Sequence, residues 1–306
     1  MENRSLGRSG LAVSSLGLGC VTFGREIDRD TSFAVMDYAY EAGITLFDTA
    51  EVYGRGRSEE IVGEWLRSRS ARGRIVLATK VAGSLTGERV IASAEASLRR
   101  LGVETIDLFQ LHRYDPEVPL EETLEALDTL VRRGVVRFVG CSNYAAWQLC
   151  KALWRQDANG WAPMAAAQLN YSLAARNIEQ ELLPLCADQE LGVLAYSPLG
   201  AGFLTGKYTP GRAIPKGTRF DVVPGHEVGY FTPRNFAIVD RLRELASEWG
   251  VTMPHIALAW AFAQPHITSV LIGARSLAHV EQALQADRRP LDPGQLVDLD
   301  ELTRPE

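Results

Sequence analysis

Four ionisable residues stand at or just past short apolar runs of this chain: Asp48, Tyr53, Lys80 and His112. Brought together, they could move a proton to or from a carbonyl oxygen. A tyrosine titrates near about 10, so its use as a general acid or base at neutral pH requires a stabilised phenolate. An ammonium ~4 Å away contributes roughly 4 kcal/mol at an effective dielectric of about 20, enough to lower a pKa by about two to three units. Lys80 is the candidate for that charge. Asp48 would pair with Lys80 and offset the cost of burying it, while His112 would hydrogen-bond a substrate carbonyl oxygen and direct it at Tyr53. Each residue alone has a plainer reading: a turn cap, a core aromatic, a surface charge, a satisfied buried histidine. Convergence on one face is what would separate the two readings.

The elements that would have to position them alternate along the chain. Leu16–Gly19, Thr45–Asp48, Ile75–Lys80, Thr105–Leu111, Val135–Gly140, Ala165–Gln168, Val193–Tyr196 and Ser269–Ile272 read as buried strands. Between them, Thr31–Ala42, Glu88–Leu101 and Leu120–Arg133 carry apolar residues at helical spacing, and Gly43, Gly102, Gly134 and Gly250 mark helix ends that fit a left-handed cap. Alternating strands and helices, connected right-handedly, predict an α/β fold: a (β/α)8 TIM barrel over residues 1–306 as one domain, preceded by a short N-terminal β-hairpin. An open doubly wound sheet is the architectural alternative. One stretch breaks the rhythm: about forty residues from Pro198 to Asn235 form a Gly- and Pro-rich loop after strand 7, on the face where barrels carry their active sites. In such a barrel Asp48, Lys80 and His112 end strands that open at the same mouth.

Composition narrows the function classes. With 32 basic and 38 acidic residues the net charge is −6, without a block of like charge, so neither nucleic acid nor an anionic membrane is favoured. The scattered Cys20, Cys141, Cys150 and Cys186 read as reduced packing residues of a cytoplasmic protein. The apolar start is broken by Ser14, Ser15 and Gly17, which favours a hairpin over a leader peptide, and no run approaches the ~18 apolar residues of a membrane span. Gly17-Leu-Gly19, Gly54-Arg-Gly56 and Gly200-Ala-Gly202 each lack the third glycine of a dinucleotide fingerprint. Ala201-Gly-Phe-Leu-Thr-Gly-Lys-Tyr208 nearly spells a P-loop, but Ala201 replaces its first glycine and Tyr208 its magnesium-binding hydroxyl residue. No tyrosine is followed four residues on by a lysine, so a short-chain dehydrogenase pair is missing too.

Asp48-Thr-Ala-Glu-Val-Tyr-Gly54 with Ser58-Glu59, then Lys80, then Asp107-Leu-Phe-Gln-Leu-His-Arg113, resemble in order and spacing the signatures of the aldo-keto reductases. The similarity extends from Arg8-Ser-Gly-Leu11 to Ile272-Gly-Ala-Arg-Ser276, nearly the whole chain. The resemblance implies that Asp48, Tyr53, Lys80 and His112 are a catalytic tetrad, that hydride passes from nicotinamide C4 to a carbonyl carbon, and that Tyr53 protonates the oxygen. It implies that Ser142, Asn143 and Gln168 hold the carboxamide and that Tyr196 stacks on the ring. Ser197, Pro198, Leu199, Gly202, Leu204 and Lys207 would cover the pyrophosphate, glycine permitting close backbone approach and Lys207 adding charge. Ile272, Gly273, Ala274 and Arg275, with His279 and Gln282 on the following helix, would meet the adenosine end, Arg275 pairing with the 2′-phosphate of NADPH. His279, Gln282 and Ala283 depart from the family's usual residues there. His112 favours carbonyl over carbon–carbon double-bond reduction, since the relatives that reduce steroid double bonds carry glutamate at that position.

Two other functions remain open on the sequence. One is a regulatory subunit similar to the β subunits of potassium channels; the other is a barrel lyase with Lys80 as Schiff base, which needs that lysine neutral. The expected partner is a small carbonyl compound, with no metal. Phe23, Tyr53, Tyr114, Phe203, Phe220, Tyr230 and Phe231 read either as an apolar substrate pocket or as loop packing, and Arg113 either as an anion contact or as a surface charge.

Overall fold

A computed structural model describes residues 1–304. The strands are β1 (Asn3–Ser5), β2 (Ala12–Ser14), β3 (Leu16–Gly19), β4 (Leu46–Asp48), β5 (Val76–Val81), β6 (Ile106–Leu111), β7 (Val136–Ser142), β8 (Met164–Asn170), β9 (Gly192–Tyr196) and β10 (Ser269–Gly273). β1 and β2 pair antiparallel as a hairpin, and β3 to β10 close a parallel barrel in which β10 bonds both β9 and β3. The eight strands expected from the sequence are these eight, with ends shifted by one or two residues.

The helices are α1 (Arg29–Glu41), α2 (Arg57–Ser68), α3 (Gly87–Leu101), α4 (Leu120–Arg132), α5 (Ala146–Asn159), α6 (Leu182–Asp188), α7 (Arg219–Val222), α8 (Pro233–Trp249), α9 (Met253–Ala263), α10 (Leu277–Arg288) and α11 (Pro293–Thr303). Local chemistry sets their limits. The side chains of Asp28, Thr86, Thr232, Thr252 and Asp292 accept from backbone amides at the starts of α1, α3, α8, α9 and α11. Gly43, Gly102, Gly134 and Gly250 all take positive φ at helix ends, as their spacing predicted.

Strand alternation splits the apolar residues into two cores. One, between barrel and helices, includes Phe47, Leu77, Phe109, Val139, Leu169 and Val193. The other fills the barrel with Leu46, Val76, Ala78, Leu108, Ala166, Leu194 and Leu271, and the hairpin stoppers its lower end with Leu6, Leu11 and Val13. Because successive strand residues point to opposite faces, the inward residue following Leu46 is Asp48, that following Ala78 is Lys80, that following Leu108 is Gln110 and that following Ala166 is Gln168. A polar layer therefore lies directly on the apolar barrel core.

The long segment after β9 is less irregular than the sequence indicated. It holds a 3-10 helix at Gly200–Thr205, α7 and a further 3-10 turn at His226–Gly229. Phe203, Tyr208, Phe220, Tyr230, Phe231 and Phe236 stack on one another at centroid separations of 4.8 to 6.4 Å. Phe203 and Phe220 are buried, so these aromatics form the loop's own core rather than an exposed pocket wall, and Phe23 is buried separately in the turn after β3. Cys20, Cys141 and Cys186 are buried free thiols as expected, but Cys150 is exposed on α5, which corrects its reading as a packing residue. Among the described residues no helix is long and apolar enough to cross a membrane.

Candidate active site

The polar layer is held by a closed set of hydrogen bonds. Lys80 and Asp48, both buried, form an ion pair of 2.5 Å between Nζ and Oδ2, and Nζ also donates to the Thr49 carbonyl at 2.7 Å. The other carboxylate oxygen, Oδ1, accepts from Gln168 Nε2 at 2.8 Å and from Gln110 Nε2 at 3.2 Å. Tyr53 lies on a short 3-10 turn just after β4, with the Lys80 ammonium 5.0 Å from its ring centroid. His112, the first residue past β6, packs edge-on against Tyr53 at 5.8 Å between centroids, and its Nδ1 is a buried nitrogen with no partner among the described residues. The four residues singled out from sequence do converge at the C-terminal mouth.

Their electrostatics follow from burial and from one another. Burial alone would lower the Lys80 pKa, but Asp48 and Tyr53 outweigh it and raise it above the ordinary value, so the ammonium stays charged. That state opposes a Schiff-base role. For Tyr53, burial raises the pKa and Asp48 adds to the rise, while Lys80 lowers it; the net displacement is upward. The sequence argument weighed only the attraction of Lys80 and expected a lowered value. His112 is pushed down to about 4 by burial, then by Lys80 and Arg113, and is therefore a neutral imidazole at neutral pH. Arg113 itself is exposed.

A shell outside this layer aims it. Glu51 accepts from the Ala82 amide at 2.8 Å, from Arg89 at 2.6 Å and from Ser93 Oγ at 2.7 Å, tying the turn that carries Tyr53 to the segment after β5. Ser58 Oγ lies 2.8 Å from Thr49 Oγ and donates to the Cys20 carbonyl, while fully buried Glu59 accepts from Thr79 Oγ1 and from Arg100 Nε, both at 2.6 Å. Gln110 and Glu51 received no role from the sequence. For Gln110 the signal was present: a polar residue inside an apolar strand, in period-two register with His112.

The other sequence-predicted residues line the rest of the mouth. Ser142 Oγ donates to the Gln168 carbonyl at 2.9 Å, Asn143 Nδ2 to the His112 carbonyl at 3.0 Å, and Tyr196 Oη to Asn143 Oδ1 at 2.6 Å. Asn143, Ser197 and Ala201 all hold positive φ, between 55° and 58°, a conformation that costs such residues of order 1 kcal/mol or more and gathers here at the mouth. Gly202 is also left-handed, and a Cβ on it would stand 2.7 Å from Lys207 Nζ, so only glycine lets that ammonium lie across the turn. Pro198, Leu204 and Ala274 are buried, which leaves their backbones rather than their side chains for any ligand; Ile272 is buried, Gly273 exposed and Leu199 half-buried. Arg275 donates through Nη1 to the Gly217 carbonyl at 2.7 Å, and its backbone amide donates to His279 Nδ1 at 3.1 Å. Burial and then Arg275 lower the Lys207 pKa; burial, Arg275 and Lys207 lower that of His279. Lys207, Arg275 and His279 therefore gather beside the start of α10, where unpaired amides also favour an anion. Half-buried Gln282 lies one turn further along.

The mouth of a closed parallel barrel thus brings together an ionised lysine, a tyrosine and a neutral histidine. The family model described as the aldo/keto reductase family matches residues 15–304, and the chain belongs to that family. It is 35% identical to an uncharacterized oxidoreductase, YrpG, of Bacillus subtilis (strain 168), over 95% of this chain and 93% of that protein. It is 33% identical to the aldo-keto reductase YhdN of the same organism, over 92% and 87% of the two chains. It is also 33% identical to a probable voltage-gated potassium channel subunit beta of Arabidopsis thaliana, over 94% and 91%. Family membership supports an oxidoreductase.

Proposed function

We propose that this protein is an NADPH-dependent carbonyl reductase in which Asp48, Tyr53, Lys80 and His112 act on the carbonyl. The observation that carries this reading is the buried, charged Lys80, bonded to Asp48 and set against the Tyr53 ring beside a neutral histidine. The residues fit the cofactor the family implies. Lys207 and Arg275 supply a cationic pair for a phosphate, neutral His279 adds a polar ring beside them, Gly202 allows close approach, and the orphaned His112 Nδ1 marks polar capacity that the described residues leave unused.

A nicotinamide bound here would supply hydride to the carbonyl carbon. The protein's own work is with the oxygen. Neutral His112 donates one hydrogen bond to it and fixes its direction, Tyr53 delivers the proton, and Lys80 stabilises the phenolate left behind while Asp48 keeps the ammonium in place. The side-chain nitrogen of Gln168 is taken by Asp48, so its Oε1 is the atom left to accept from a carboxamide, next to Ser142 and Asn143 and under Tyr196. Ser197 to Leu199, Gly202, Leu204 and Lys207 would hold the pyrophosphate; Ile272 to Arg275, His279 and Gln282 the adenosine end. The substrate is a small aldehyde or ketone, and the free cysteines support a cytoplasmic setting.

The experiment is consumption of NADPH, followed by absorbance, with a panel of aldehydes, ketoses and other carbonyls. Tyr53→Phe should lower kcat by at least about a hundredfold while cofactor affinity stays within a few fold, because the phenol acts only in the transition state. Near-wild-type turnover in that variant would remove the tetrad assignment. Tight cofactor retention with negligible turnover on every carbonyl would instead favour the regulatory reading, for which the channel-subunit relatives are the support.

A further inference from the structure

Gln110 is fully buried inside the barrel, next to last in a strand that is otherwise apolar on that face. An amide there is costly unless its hydrogen bonds are met. Its Nε2 donates to Asp48 Oδ1 at 3.2 Å, and its Oε1 lies 3.5 Å from Gln168 Nε2, which itself donates to the same Asp48 oxygen at 2.8 Å. A carboxylate can only accept, so both amides must turn their nitrogens toward it. That requirement fixes which way each glutamine faces. It also leaves Oδ2 to Lys80 alone.

The neighbouring strand makes room for this arrangement. Gly140 pairs with Gln110 across β6 and β7, and a Cβ on it would come 2.7 Å from the Ala166 carbonyl and 3.4 Å from Gln110 Cγ. A side chain on Gly140 would therefore press on both the strand and the amide.

We propose that Gln110 is a positioning residue for the reductase site, locking the Asp48 carboxylate toward Lys80 and pinning Gln168 so that its Oε1 faces the mouth. The proposal rests on the reading that Gln168 meets a nicotinamide carboxamide through that oxygen. Gln110 touches neither substrate nor cofactor. Through Asp48 and Gln168 it joins the proton-donating half of the site to the half that seats the ring. Without it, Asp48 keeps one donor on Oδ1 in place of two, and Gln168 is anchored at one point in place of two.

The test uses the full-length chain with NADPH and 4-nitrobenzaldehyde as the probe substrate, over about pH 5.5 to 9, with thermal unfolding as a control. Gln110→Met should lower kcat by roughly tenfold or more and raise KM for NADPH about three- to tenfold, with KM for the aldehyde nearly unchanged. Gln110→Glu keeps the shape but can donate to Asp48 only while protonated. Its activity relative to wild type should recover toward low pH and fall away as pH rises. Space filling would not produce that recovery, and this variant decides the matter even if the methionine one folds poorly. Wild-type kcat and KM in Gln110→Met, or an equal loss at every pH in Gln110→Glu, overturns the proposal. A wild-type protein that oxidises no NADPH with any carbonyl defeats the reductase reading itself, and the role given to Gln110 falls with it.

Discussion

The barrel carries a buried carboxylate at each end, and the two are finished differently. At the bottom, Asp107 forms ion pairs with Arg72 and Arg137, each at 2.8 Å, and accepts hydrogen bonds from Arg137 and, at 2.9 Å, from the Leu77 amide. Both arginines reach partly into solvent, with side chains 32% and 52% exposed, so water shares their charge. At the mouth, Asp48 is answered by a lysine with no exposure at all, and the groups beside that lysine, Tyr53 and His112, are not closed on one another. A cleft of about 1160 Å³ opens beside Asp107, lined by Arg72, Arg74 and Arg137. The lower pair is a completed lock between strands, whereas the upper pair spends desolvation to hold a charge beside an acid that can act.

The contrast breaks most visibly at Lys80. Lys80→Met should lower kcat by about a hundredfold or more, because the phenolate left by proton transfer loses its counter-charge. Two limbs of the pH profile should move as well. Lys80 is the strongest influence that lowers the Tyr53 pKa, so its removal moves the alkaline limb of kcat/KM upward. Lys80 also helps hold His112 down near about 4, so the acid limb moves upward too, toward the ordinary histidine value of about 6.5. An unchanged profile with reduced kcat would remove Lys80 as the group that tunes the site. Since Asp48 is left buried and unpaired, thermal unfolding should accompany the kinetics.

A smaller effect sharpens the contrast within the mouth itself. Arg275 is tied to the long loop through Gly217 and stands with Lys207 and His279 away from the tetrad. Wild-type protein should prefer NADPH over NADH by roughly ten- to a hundredfold in kcat/KM, about 1.4 to 2.8 kcal/mol, and Arg275→Ala should lose most of that through KM for NADPH. The contacts from His279, with Gln282 and the buried Ala283 behind it, differ from the family's usual set, which keeps the expected preference modest. Equal losses with both cofactors, or a wild-type preference for NADH, would sink the assignment of Arg275 without touching Tyr53.

Where the sequence was readable and where it was not follows from range. Strand alternation is a local signal, so the eight barrel strands and the inward stations of Asp48 and Lys80 could be read directly. Once a barrel was inferred, the convergence of residues as distant as Asp48 and His112 came with it. Two readings failed, and one stayed open, for want of the third dimension. Cys150 sits in a helix where one step of rotation decides burial, and it faces outward while Leu149 faces in. The net direction at Tyr53 depends on burial, which a sum of charges omits. The loop aromatics Phe203, Phe220 and Tyr230 meet only after the loop folds back on itself. Gln110 was visible in the quoted motif, but a lone polar residue in a strand acquires meaning only from Asp48 and Gln168 opposite it.

The smallest expected effect belongs to the bottom of the barrel and tests whether the two carboxylates are truly of different kinds. Asp107→Asn keeps an acceptor for the Leu77 amide but removes the charge that faces Arg72 and Arg137. Hydrogen bonds to a charged group are worth about 1.5 to 3 kcal/mol when buried, and partial exposure of both arginines pulls the loss toward roughly 1 kcal/mol. For a chain of this length that is a shift of about two degrees in Tm. Added salt should narrow the gap between variant and wild type, because the pairs it weakens are already partly hydrated. Turnover and both KM values should stay within about twofold, since the substitution leaves in place the apolar packing of Leu46, Val76, Leu108 and Leu194 inside the barrel. A kcat loss comparable to that of Lys80→Met would show that the lock at the bottom sets the geometry at the mouth. The division between a finished pair and a poised one would then have to be given up.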